Sequence, residues 1–181
     1  SNCGYKIDWK SNFIQKHEGT PLKNIAISCN NIIQKGEAVI TKFGLEGNAI
    51  YGLSPEIRAQ LNAISKATVF IDFKPSLTLE NILSKIKKSI FKNTTQILKK
   101  ELKLSPSQID LLKTYLSKES YLNIESLAKN IKKFPLELIE TASIDEAIST
   151  VGGIDLNAIS KNFELKKMPN QFCIGEMLDW D

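Results

Sequence analysis

At 181 residues and 20.3 kDa the chain suffices for one domain or two small ones, and 42% hydrophobic with 24% charged residues excludes a disordered tail, a coiled coil and a collagen-like rod. No apolar run approaches the roughly 18–20 uncharged residues of a membrane span, and the N-terminal SNCGYKIDWK lacks the apolar stretch of a signal peptide, so a soluble, cytoplasmic protein with no membrane partner is expected. Twenty-four basic against 20 acidic residues give +4, but Arg58 is the only arginine, which weighs against nucleic acid as a partner, because bidentate base reading and stacking favour arginine.

From Pro21 to Phe73 the sequence predicts short strands, LKNIAISC, EAVITKF, NAIY and ATVFIDF, broken at Gly36, Gly44 and Gly47. Within this stretch Ser54-Pro55-Glu56 supplies a cap, a proline at the first helical position and an early acid, so a helix begins there with Ile57, Leu61 and Ile64 on one face. Beyond Pro75 the spacing turns helical. Leu79, Ile82, Leu83, Ile86 and Ile90 define one amphipathic helix, Ile97, Leu98 and Leu102 a second, and the capping box Ser105-Pro106-Ser107-Gln108 opens a third through Ile109, Leu112 and Leu116. A fourth runs from about Asn123 through Leu127, Ala128 and Ile131. After Pro135 strands return, as PLELIETA, AISTVGGIDL, FELKKM and QFCIGEML, so one sheet or barrel would contain the helices as an insertion.

Few residues invite chemistry. His17 is the only histidine, lies in the polar stretch QKHEGT, and reads as an exposed loop or helix-end residue; with no second histidine and no CxxC pair, no metal site is expected. Cys3, Cys29 and Cys173 are scattered and odd in number, and Cys29 and Cys173 sit in apolar strands as core residues. Lys85, Lys87, Lys88, Lys99, Lys100, Lys132 and Lys133 fall mainly on the polar faces of the expected helices, where solvated surface is the default. Phe43-Gly44-Leu45-Glu46-Gly47 is either the mouth of a site or a plain strand-to-helix turn. Two glycine segments say more: Thr150-Val151-Gly152-Gly153-Ile154, and the apolar strand FCI running into Gly175-Glu176, where backbone can approach a ligand and a carboxylate can accept bonds from hydroxyls. Each is also readable as a simple turn.

The order STVGGI, about a dozen residues, then KKMPNQFCIGEMLDWD resembles the C-terminal FAD-binding signature of bacterial FAD-dependent oxidoreductases of the insert-domain type. Thr150, Gly152, Gly153 and Ile154 match its first part, and Pro169, Phe172, Gly175 and Glu176 its second; Asn170 stands where that family often has glycine, and Ile174 where it often has alanine. The segments NCGYKIDW, GTPLKNIAIS, KFGLEGNAIYGLSPEIR, the strand ending in Asp72, and GEMLDW extend the likeness over nearly the whole chain, to one subgroup of such flavoproteins.

The resemblance implies an α+β fold in which β-barrel-like antiparallel strands carry an inserted small helical bundle. Residues 1–76 would form the first part of the barrel, 77–133 the helical subdomain and 134–169 the returning strands, while 170–181 would lead back to an FAD-binding domain. No GxGxxG segment is present, so the chain is expected to be an excised middle piece that does not retain FAD alone; its partners would be the FAD-binding domain of the same parent chain and a small-molecule acceptor, with NAD(P)H as reductant. By likeness, Glu176 lies near the ribityl hydroxyls, Gly175 admits the backbone, Asp179 orders the following loop, and Gly152 and Gly153 sit on the substrate side of the flavin. No catalytic residue is assigned. The alternative is a free-standing barrel-plus-helix module that binds RNA or a protein.

Overall fold

The computed structural model describes residues 2–179; Ser1, Trp180 and Asp181, the last two closing the GEMLDWD segment, lie outside the described residues. The chain divides into two compact units, residues 4–141 and residues 142–179 together with 2–3.

The first unit is built on strands β1 (Tyr5–Lys6), β2 (Pro21–Cys29), β3 (Ile32–Ile40), β4 (Gly44–Glu46), β5 (Ala67–Asp72), β6 (Phe134–Leu138) and β7 (Glu140–Thr141), all antiparallel and ordered β6-β5-β2-β3-β4-β1-β7. The two end strands are one run of chain, interrupted only at Ile139, whose N–H donates to the Lys6 carbonyl at 2.9 Å. One segment therefore pairs with β5 in its first half and with β1 in its second, which closes the sheet into a barrel and removes its open edges. Period-two patterning directs the interior: Ala67, Val69 and Ile71 of β5 and Phe134, Leu136 and Leu138 of β6 are all buried, alternating with more exposed neighbours. Closing the β2–β3 hairpin, Asn30 takes the left-handed conformation at φ 51°, and a bulge between Leu22 and Ile25, with Asn24 at φ 54°, bends β2.

Helix α1 (Ser11–His17) precedes β2, and α2 (Asn48–Tyr51) and α3 (Ser54–Ile64) link β4 to β5. The chain then forms α4 (Leu79–Lys87), α5 (Thr94–Lys100), α6 (Pro106–Tyr115), α7 (Lys118–Leu122) and α8 (Ile124–Lys132) before returning as β6. The capping box forms as expected, with the Gln108 amide donating to Ser105 Oγ and the Ser105 amide to Gln108 Oε1. Thr78, Asn93, Ser117 and Asn123 cap the other four helices of the bundle, each side-chain oxygen accepting the backbone N–H three residues on.

Several expectations are corrected here. NAIY is helix α2, because Gly47 at φ 112° turns the chain out of the barrel, and Gly36 lies within β3 instead of breaking it. Ser54 is the first helical residue, with no capping bond and its hydroxyl buried without a partner among the described residues; Leu53 holds the cap position. The bundle has five helices where four were expected, since Ser117 starts the short α7, and Ile90 lies beyond α4, 87% exposed.

The bundle shares the barrel's hydrophobic core. Trp9 and Phe13 stack with centroids 5.2 Å apart, Tyr115 of α6 meets both edge-on, and Tyr115 in turn meets Phe134 of β6. At the other side Lys132 of α8 pairs with Asp72 at the end of β5 at 2.5 Å and donates to the carbonyls of Lys74 (3.1 Å) and Leu77 (2.7 Å). A lysine expected on a solvated face is thus a clasp between helix, strand and loop.

In the second unit the strands expected from AISTVGGIDL, FELKKM and QFCIGEML are not extended ladders. They form isolated bridges, Asn2 with Ser149, Ile154 with Leu178, Ile159 with Leu165 and Glu164 with Phe172, between 3₁₀ turns at Ile144–Glu146, Leu156–Ala158 and Gly175–Met177. Left-handed residues interrupt every apolar run: Gly152, Phe163, Asn170 and Gly175 lie at φ 86°, 63°, 65° and 63°. Its core is small, with Ile159, Cys173 and Leu178 buried and Ile154 and Leu165 packed against them.

Candidate functional site

The two glycine segments, which the sequence could only place in order, lie side by side. Ile154 and Leu178 form a parallel bridge in which the Ile154 N–H donates to the Met177 carbonyl at 2.9 Å and the Asp179 N–H donates back to the Ile154 carbonyl at 3.0 Å. Gly153, at φ 155°, is required by this approach: a Cβ there would lie 2.7 Å from the Met177 carbonyl oxygen and 2.8 Å from the Leu178 carbonyl carbon, both backbone atoms. Gly152 and Gly175 differ, since a Cβ on either would meet open space; what they contribute is a left-handed backbone. Gly152 thus makes a tight bend, and Gly153 permits the close approach of two backbone segments.

A hairpin-like loop presents the second segment. Leu165 donates its N–H to Gln171, Cys173 to Phe163, and the Glu164 carboxylate accepts the Asn170 N–H at 2.8 Å. Asn170 is left-handed at the position where the related signature often has glycine, and asparagine is the side chain that tolerates this conformation best. Sequence reading singled out Asn170 but missed Glu164, whose only signal was a carboxylate near a Pro-Asn turn.

After Cys173, which is buried, Gly175 opens the 3₁₀ turn, with Glu176 exposed within it and Asp179 exposed just beyond. Cys29 is fully buried in β2; burial, and secondarily the charge of Glu56, pushes its thiol up, consistent with an inert core residue. Gly44 and Leu45 are buried in β4, paired with β1, so the KFGLEG segment is a strand and turn of the barrel.

His17 corrects an expectation. It does end α1, but it is 7% exposed, stacks on Phe13 with centroids 5.0 Å apart, and meets Asp110 of α6 at 2.9 Å. No local pattern hints at this pairing, because the partner lies 93 residues away. Among the described residues no group of three or more His, Cys, Asp or Glu is placed to hold a metal ion, and no helix is long and apolar enough to cross a membrane.

A closed antiparallel barrel that carries a five-helix bundle between its fifth and sixth strands defines the class of domain. The chain belongs to the HI0933-like protein barrel and H2TH domain family, whose model matches residues 1–149. Comparison with curated proteins gave no match. The family match ends just before Thr150, so both glycine segments of the candidate site lie beyond it.

Proposed function

We propose that this chain is the substrate-capping insert of an FAD-dependent, NAD(P)H-linked oxidoreductase, with Gly152, Gly153, Gly175, Glu176 and Asp179 on its flavin-facing side. The family is associated with FAD-dependent oxidoreductase-like proteins. The observation that carries the reading is the bridge between Ile154 and Leu178, which brings both halves of the resemblance into one backbone surface. Exposed apolar side chains in the same unit support a further domain as partner: Ile144, Ile148, Phe172, Ile174 and Met177 are each more than half exposed, from 56% to 68%.

The bound flavin would pass hydride from the nicotinamide to an unsaturated or carbonyl-conjugated acceptor. The residues here bind and shield. Glu176 accepts hydrogen bonds from ribityl hydroxyls, Gly175 lets the chain approach without a Cβ, and Asp179 orders the chain that follows. The barrel and bundle exclude water from the acceptor pocket. The test is expression of the complete reading frame, reconstitution with FAD and measurement of flavin retained after gel filtration. Retention is expected, with Glu176→Ala weakening it about tenfold, the loss of one hydrogen bond to a charged group. A complete protein that retains no FAD would falsify the reading.

A further inference from the structure

We propose that the helical bundle holds a binding site for a small phosphorylated anion, in the hollow between the start of α5, the last turn of α6 and α7, independent of the flavin reading. This hollow of about 500 Å³ is lined by Lys92, Lys113 and Lys118 together with Thr94, Thr95 and Tyr121. That is the size of a small-molecule site.

Three elements contribute one lysine each: the loop before α5, the exposed flank of α6 and the first residue of α7. None of these lysines makes an ion pair or side-chain hydrogen bond among the described residues, whereas Lys6, Lys66 and Lys132 are each paired with a carboxylate. No acidic residue lines the hollow. Like charges lining one hollow with no carboxylate among its lining residues repel one another, and an entering anion relieves that repulsion. Thr95 Oγ1 and Tyr121 Oη share one hydrogen bond at 3.0 Å, so one of the two hydroxyl hydrogens remains to donate to a ligand, beside the hydroxyl of Thr94. Ammonium and hydroxyl donors without acceptor charge are the chemistry of a phosphoryl group.

A nucleic-acid strand fits less well. Tyr121 is only 8% exposed, so its ring offers no stacking face, and the lysines surround a concavity instead of tracking a line.

The test titrates the isotopically labelled 181-residue chain with pyrophosphate at low ionic strength and follows backbone amide shifts. Saturable shifts confined to residues 92–95, Lys113 with its α6 neighbours, and residues 118–122 are expected. Lys113→Gln and Lys118→Gln should each weaken binding about tenfold, as loss of a charged hydrogen bond does, while Lys66→Gln on the barrel changes nothing. Preserved spectra outside the hollow confirm that each variant folds. The proposal is overturned by non-saturating shifts spread over the molecule's lysines, or by Lys113→Gln and Lys118→Gln both binding like the parent chain. Tighter binding of an oligo-dT strand than of pyrophosphate at the same residues overturns it in favour of nucleic acid.

Discussion

Adjacent Gly152 and Gly153 should respond differently to the same methyl group. In Gly153→Ala the new Cβ lies 2.7 Å from the Met177 carbonyl oxygen, and ordinary contact begins near 3.4 Å, so the two chains must separate by about 0.7 Å. The backbone bonds from Ile154 to Met177 and from Asp179 to Ile154, at 2.9 and 3.0 Å, then stretch beyond useful length. Each contributes about 1 kcal/mol net, and holding alanine in a region that only glycine populates costs a further 1–3 kcal/mol, for a local loss of about 3–5 kcal/mol. The hydrophobic cluster of this unit, Ile159, Cys173 and Leu178 among the described residues, is too small to offset that. In Gly152→Ala the Cβ meets nothing within 4 Å, and only the left-handed strain of about 1–2 kcal/mol remains. Amide hydrogen exchange reads the difference at Ile154 and Asp179. Gly153→Ala should abolish their protection and leave the barrel's unchanged, whereas Gly152→Ala should weaken it modestly. Equal protection in both variants, or greater loss in Gly152→Ala, would refute the assignment of close approach to Gly153.

Lys132→Met removes the clasp at the end of β5, leaving the Asp72 carboxylate without its ammonium and the Leu77 carbonyl without its Lys132 donor, while the Lys74 carbonyl keeps the Leu77 N–H; a loss of about 2–3 kcal/mol is expected by urea denaturation, and a loss below about 0.5 kcal/mol would show that solvent replaces the clasp. Gly44→Ala places a Cβ in overlap with the Tyr5 carbonyl, so β1 must leave β4 and the barrel loses its closing strand; poor expression or a melting temperature lowered by more than about 10 °C is expected, and near-parental melting would contradict the β1–β4 register. Burial, then repulsion from Lys103, lowers the Lys74 pKa below its ordinary 10.5, so between the lowered folded value and 10.5 the unfolded chain binds more protons and stability rises with pH. Urea titrations across that window should show the rise in the parent protein and its absence in Lys74→Met; identical slopes would remove Lys74 as the cause. Cys173, in the small core, should react with iodoacetamide at lower urea than Cys29, buried among the barrel strands, and the reverse order would place the weaker unit elsewhere.

Local chemistry was readable wherever its cause lay within a few residues. Ser105 and Gln108 specify a capped helix start because both partners of the box sit in one turn, and the three-and-four spacing of Leu127, Ala128 and Ile131 defines the buried face of α8 regardless of what packs on it. Strand alternation in ATVFIDF and PLELIE identified β5 and β6 for the same reason, and glycine segments could be flagged because a missing side chain is itself a local property.

Tertiary structure decided what depended on distant partners. Closure of the barrel required the segment 134–141 to find β5 at one end and β1 at the other, which no local pattern encodes. His17 became a buried partner of Asp110, and Lys132 a clasp on Asp72, because burial converts a side chain that solvates well alone into one that needs a specific polar partner. The apolar runs after Thr141 alternate as strands do, yet left-handed residues and a core too small to repay ladder formation reduced them to single bridges. Sequence thus determined which residues prefer a helix, a strand or a turn, since those preferences are set within a few residues of backbone; which of them meet was decided by packing, where the free energy of burial is shared among residues far apart in the chain.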